Sequence, residues 1–111
     1  LREIDLGSLT GKYAKDIDWS NLPADHEGDE KLFKRAKKFI LSLSKKHRGQ
    51  TVLCVAHGRI NQAIIAALTK KSHTHINTMP LLHNTSVNIL EIDDCNQWNM
   101  RLFNCIVHLD K

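Results

Sequence analysis

Thr51-Val52-Leu53-Cys54-Val55-Ala56-His57-Gly58 is the stretch whose reading decides the fold. Its first six residues are short, apolar and rich in β-branched side chains, and they do not alternate with polar ones. A strand of that kind is buried on both faces, as in the middle of a parallel sheet. Upstream, Leu32, Phe33, Ala36, Phe39, Ile40 and Leu43 recur at helical spacing, which predicts an amphipathic helix ending near Gly49. Asp29 and Glu30 open it and basic residues close it, matching the macrodipole. Downstream, a helix covered nearly all round is expected from about Arg59 to Leu68. Lys70–Pro80 reads as a polar connection, Thr85–Ile92 as a strand, and Trp98–His108 as the last strand or two. Residues 1–28, punctuated by Gly7, Gly11, Pro23 and Gly28, read as loop and turn. A strand, a helix and a further strand suggest a right-handed parallel crossover and the α/β class.

The chain has 111 residues, enough for one domain or part of one. With 41% hydrophobic and 25% charged residues, its composition argues against a disordered tail, a collagen-like repeat or a disulfide-stapled miniprotein. No apolar run approaches the roughly 20 residues of a membrane span. The chain opens on Leu1 with no basic-then-apolar leader, so no targeting signal is visible, and the lack of an initiator points to a missing upstream segment. Three Cys, an odd number without a Cys-x-x-Cys, fit a reducing cytoplasm, with Cys54 expected as a small buried hydrophobe. The net charge is +4, much of it on Lys31–Arg48. The plain reading of that segment is a solvated helix face; no aromatic residues are interleaved to stack bases, which ranks nucleic acid low.

His57 and Gly58 stand where a strand hands over to a helix. That junction puts an imidazole and unpaired backbone N–H groups at the carboxyl end of a sheet, where open α/β sheets hold ligands. A helix N-terminus favours anions, and Gly58 allows close approach. The residues point to phosphate or carboxylate binding; the plainer alternative is a hydrogen-bonded His at a strand end. His73, His75 and His83 have no adjacent Cys or carboxylate to complete a metal set, and a surface loop is the better reading.

Four signals stand in order along the chain, this junction among them. Leu1-Arg2-Glu3 through Gly11 has the pattern Leu-x-Glu-x-x-x-Gly-x-x-x-Gly. The Val-Leu-Cys-Val-Ala-His57-Gly58 run follows, then Asn84-Thr85-Ser86-Val87, then Trp98-x-x-x-Leu102 and His108-Leu109. This order resembles the histidine phosphatase superfamily, also called phosphoglycerate mutase-like, over nearly the whole chain. The resemblance implies a single but truncated domain over residues 1–111: the C-terminal part of a three-layer fold with a mostly parallel sheet flanked by helices. It implies that Glu3 is the acid that protonates the leaving oxygen and then activates water. It implies that His57 is the second active-site His, bonding the transferring phosphoryl group, with Gly58 and the Arg59 backbone close to the phosphate. His26-Glu27-Gly28 lies where the family often has Gly-Glu-Ser, and Arg35 keeps the family's spacing from Glu27. Asn84 matches a recurrent, structural Asn.

The family's nucleophile, a His within Arg-His-Gly at the end of the first strand, is not in this sequence, and neither is the further Arg of the helical region after it. His57 is no substitute, because Ala56 rather than Arg precedes it and the Leu-x-Glu motif lies upstream. Phosphoryl transfer needs positioned positive charge around the phosphate oxygens. A Glu and one His offer proton transfer, worth about 100- to 10,000-fold, but neither the nucleophile nor two guanidinium forks. The expectation is therefore a phosphatase or mutase of small phosphate monoesters whose present chain is inactive alone. No metal or nucleotide cofactor is implied. The expected partners are a small phosphorylated metabolite or inorganic phosphate, and the missing N-terminal segment or a second copy, since an unpaired strand edge invites association. No membrane partner is expected. The alternative function is a noncatalytic anion- or partner-binding module built on the His57-Gly58 helix start; a weaker one is a basic nucleic-acid-associated domain.

Overall fold

The stripe from Leu32 to Leu43 forms helix α1, Gly28–Lys46, with Asp29 and Glu30 in its first turn and Lys45 and Lys46 in its last. A computed structural model describes residues 1–69 and 72–110. Helix α2 spans Gly58–Leu68 and buries Ile60, Gln62, Ala63, Ile64, Ile65, Ala66 and Leu68, as its apolar composition predicts. The two helices pack on each other around Leu32, Ala36, Ala63 and Ala66, all at 0% exposure, and Ile60 at 1%. Ala at three of those positions lets the helix axes approach closely, and the larger Leu32 and Ile60 fill the seam.

The polar connection holds a surprise. His73–Ile76 makes one 3-10 turn, closed by a capping box in which Ser72 and His75 bond each other's backbone. The turn delivers Ile76, fully buried, into the α1–α2 core. A single apolar residue among polar ones carries no periodicity, so it reads as loop. Lys70 and Lys71, the start of that connection, lie outside the described residues.

Strands β1 (Val87–Ile92) and β2 (Trp98–Cys105) pair antiparallel around the turn Asp93–Gln97, in which the Asp93 carboxylate accepts from the Cys95 and Gln97 N–H groups. Leu90 and Trp98 pack on the helical core, whereas Val87, Ile89 and Phe103 lie on the outer face. A register shift near Val87 is accommodated by Asn104, at φ 49°, whose side chain accepts from the His83 N–H and donates to the Leu81 carbonyl.

The α/β class stands, but the three-layer parallel sheet does not form among the described residues, whose sheet is this hairpin. Thr51–Ala56 is not part of any ladder. Its side chains are open: Leu53 is 87% and Val55 82% exposed. Cys54, expected in a buried strand, is exposed for the same reason. A strand becomes a buried strand only when others flank it, and among the described residues no strand lies beside this run. The overall dimensions agree. The molecule is 21 Å along its shortest axis, whereas three layers of about 10 Å each need about 30 Å. Its surface of 8180 Å² exceeds the roughly 6,200 Å² of a close-packed chain of this mass.

Candidate functional site

Helix α2 starts without a local cap. His57 is extended and its side chain makes no capping bond, and the first turn carries no acidic residue. The cap comes from far away in sequence. Glu3 accepts from the Arg59 N–H through Oε2 at 3.0 Å and from the Ile60 N–H through Oε1 at 2.9 Å. Oε1 also accepts from its own neighbour, the Ile4 N–H, at 2.9 Å. A carboxylate on two free N–H groups of a helix start satisfies both orphan donors and meets the positive end of the dipole. The expected acid therefore lies against the turn that carries the expected imidazole. The His57 ring is exposed and, like the Gly58 N–H, makes no hydrogen bond among the described residues. Around Gly58, the volume a Cβ would take has no neighbour within 4 Å.

Two ion pairs hold this arrangement. Arg35 on α1 grips Glu27 with two bonds, Nε to Oε1 at 2.8 Å and Nη2 to Oε2 at 3.1 Å. The same guanidinium donates from Nη1 to the Arg2 carbonyl (2.9 Å) and from Nη2 to the Glu3 carbonyl (3.2 Å). Glu27 in turn accepts from the Asp5 N–H at 2.9 Å, and its own N–H donates to the Asp5 carbonyl at 2.8 Å. The Arg35 hydrogen bonds hold the Glu27 carboxyl below the usual carboxylate range, against the opposing effect of burial, and Glu27 raises Arg35 in return. The second pair is Arg59 with Asp29, Nη2 to Oδ2 at 2.7 Å and Nε to Oδ1 at 3.1 Å. Arg59 also donates to Asn77 and lies 3.4 Å from Gln62 Oε1, while Gln62 donates to the Pro80 carbonyl. Its guanidinium thus ties α1, α2 and the loop after the 3-10 turn.

Upstream, Gly7 sits at φ 56°, and a Cβ there would fall 2.6 Å from Asp25. Asp25 accepts from the Ser8 N–H at 2.7 Å, closing the loop that follows Glu3. The first Gly of the Leu-x-Glu motif is thus required twice, by its dihedral and by this contact.

Of the four expected site residues, Glu3, His57, Gly58 and Arg59 meet at one helix start, with Arg59 engaged through both backbone and side chain. Neither of the two best-formed grooves among the described residues brings the four together. A groove of about 400 Å³ is lined by Leu1, Arg2, Arg35, Ala36, Phe39 and Ile60. Sequence reasoning placed Asp29 only at the start of α1, without its hold on Arg59, and did not find Asn77, Gln62 or Asp25. Asp25, Asp29 and Asn77 meet partners far away in sequence, and Gln62 bonds the distant Pro80 carbonyl as well as lying near Arg59. Glu27 and Arg35 were visible only as a spacing.

An acidic residue and an open His-Gly pair thus stand together at the start of a helix on an α/β scaffold. The model of the histidine phosphatase superfamily (branch 1) matches residues 1–106, and the chain belongs to that superfamily. It is similar to phosphoglycerate mutase-like protein 4 of Arabidopsis thaliana, at 25% identity over 82% of this chain and 38% of the relative. It is also similar to a metal-independent phosphoserine phosphatase of the same plant, at 27% identity over 98% of this chain and 50% of the relative. The chain therefore spans half or less of the length of these curated relatives. No solved structure matches it.

Proposed function

We propose that this chain is the acid–base and phosphate-receiving part of a phosphohistidine-mechanism phosphatase or phosphoglycerate mutase-like enzyme acting on small phosphate monoesters. The observation that carries the reading is the Glu3 carboxylate capping α2 two residues past His57. In this reading the nucleophilic His comes from outside residues 1–111, and the chain alone does not turn over. The phosphoryl group passes to that imidazole as the bond to the leaving oxygen breaks. Glu3 gives the leaving oxygen its proton, and then takes one from the water that attacks the phosphohistidine. The His57 ring and the Gly58 N–H donate to the phosphoryl oxygens. An incoming phosphate meets the negative charge of Glu3 and competes with it for the Arg59 N–H, and the Arg59–Asp29 pair keeps the helix start in place meanwhile.

The open Thr51–Ala56 run supports the partner side of this reading. In the complete domain it is an inner strand of a three-layer parallel sheet. In this chain it pairs with an N-terminal segment or with a second copy. Cys54, Cys95 and Cys105 are all unpaired, which supports a reducing, cytoplasmic setting. Among the described residues no helix is long and apolar enough to cross a membrane.

The test is a titration of the pure chain with inorganic phosphate, followed through the His57 ring signals, with an aryl phosphate assay in parallel. The expected result is a saturable shift at His57, tighter binding in Glu3→Gln, and no phosphate release. A His57 ring indifferent to phosphate sinks the reading, as does turnover that vanishes in His57→Ala. The exposed Leu53 and Val55 favour a second reading, a module whose task is to dock a partner strand. It predicts association that Leu53→Lys abolishes, with no phosphate response at His57.

A further inference from the structure

Arg35 and Glu27 form the least exposed ion pair among the described residues, with side chains 27% and 9% exposed. Its bonds are concentrated on one short segment. The guanidinium holds the carbonyls of Arg2 and Glu3, and the carboxylate and N–H of Glu27 hold both backbone groups of Asp5. Residues 2 and 3 are thus anchored to α1 and residue 5 to Glu27 just before it, while the Glu3 side chain is anchored to α2. Glu3 is the one residue of the segment gripped at both ends by different helices.

The geometry points to Arg35, locked by Glu27, as the positioning residue of Glu3: it fixes the backbone from which the carboxylate reaches the helix start beside His57. This rests on Glu3 being the acid of the reaction proposed above. The planar fork matters because four bonds leave one guanidinium in set directions, toward Glu27 twice and toward two successive carbonyls. A Lys ammonium at the end of a flexible stem is a point charge and cannot hold them together. Loss of the fork leaves the Leu-x-Glu segment tied to α1 less firmly, so the carboxylate no longer stays on the Arg59 and Ile60 N–H groups.

The experiment uses carboxyl and amide NMR on the 111-residue chain. In the unsubstituted chain, the Arg59 and Ile60 amide signals are expected to move with the Glu3 carboxyl signal as pH is changed. In Arg35→Lys and in Glu27→Gln, that amplitude falls at least about twofold while the Ala63–Ala67 amides keep their shifts. A purely structural staple would lower the melting temperature and leave the amplitude intact in the molecules still folded; full amplitude in both variants overturns the proposal. Should the variants not fold, hydrogen exchange in the unsubstituted chain decides. The Arg35 Nε–H and the Arg59 and Ile60 amides then open together, within about threefold. Opening constants for Arg35 that exceed theirs about tenfold or more overturn the proposal. If the coupling is lost in the variants while His57 in the unsubstituted chain ignores phosphate, the acid role of Glu3 falls and its positioning by Arg35 stands.

Discussion

The α1–α2 seam and the Gln50–Ala56 run are built from the same kinds of residue and end in opposite states. Leu32 and Ile60 are sealed at 0% and 1% exposure, whereas Leu53 and Val55 stay at 87% and 82%. Hydrophobicity alone does not bury a side chain. A helix closes its own hydrogen bonds and needs only one neighbour for its apolar stripe, which α1 and α2 provide for each other. A strand needs flanking strands for its backbone and cover for both faces. The largest expected effect follows from that contrast. Leu32→Ala or Ile60→Ala should cost about 2–5 kcal/mol, read by urea denaturation of the chain. Leu53→Ala should change it by about 0.5 kcal/mol or less. Equal costs at Leu32 and Leu53 would mean that the run is buried in solution, and light scattering at the same concentration would tell whether a second copy covers it.

The same contrast explains what could be read from the sequence. Periodicity foretold both helices to within a few residues, because a helical stripe is a local signal. It foretold the two strands β1 and β2, though not their antiparallel pairing. It failed at Thr51–Ala56, where the sequence states a preference for a buried strand and the described residues hold no strand paired with it. At the site, the meeting of Glu3 with the turn after His57 was implied by family order, not by any local pattern. The two ion pairs join partners 8 and 30 residues apart. A lone Asp29 in the first turn of α1 has a complete local explanation in the helix dipole, which hides its second task of holding Arg59. Ile76 was hidden likewise, by polar neighbours.

Within the well-packed part, the loop carrying Glu3 can be tested without touching the core. Gly7→Ala would put a Cβ on Asp25 and force a left-handed Ala, and a loss of about 2–4 kcal/mol is expected. A smaller loss would mean that the Ser8–Asp25 closure moves aside easily. Glu27→Gln comes next, at about 1–3 kcal/mol, since it takes the charge out of three hydrogen bonds while keeping the shape. Its pH dependence has a definite sign. Glu27 lies below its ordinary value of 4.5 in the folded chain, so its contribution is complete above about 4.5 and fades as pH falls through the folded value. The unsubstituted chain should therefore lose stability more steeply below pH 4.5 than Glu27→Gln does, in urea melts across the acid range. Parallel curves would remove the Arg35–Glu27 bond from the folding balance.

The smallest effect is expected where an ion pair has the same chemistry but no burial. Arg101 and Glu91 meet at 2.7 Å across the hairpin, about as close as Arg35 and Glu27, yet their side chains are 65% and 54% exposed. Water screens the attraction, and holding two long side chains together costs rotamer freedom. Glu91→Gln should therefore shift stability by about 0.5 kcal/mol or less, and that shift should vanish in molar salt. Glu27→Gln should keep most of its cost in the same salt, because its partners exclude water and its bonds run to fixed backbone groups as well as to a charge. If salt erased both effects alike, the grip on Glu3 would be a surface attraction, and the distinction between these two pairs would rest on exposure that the solution does not respect.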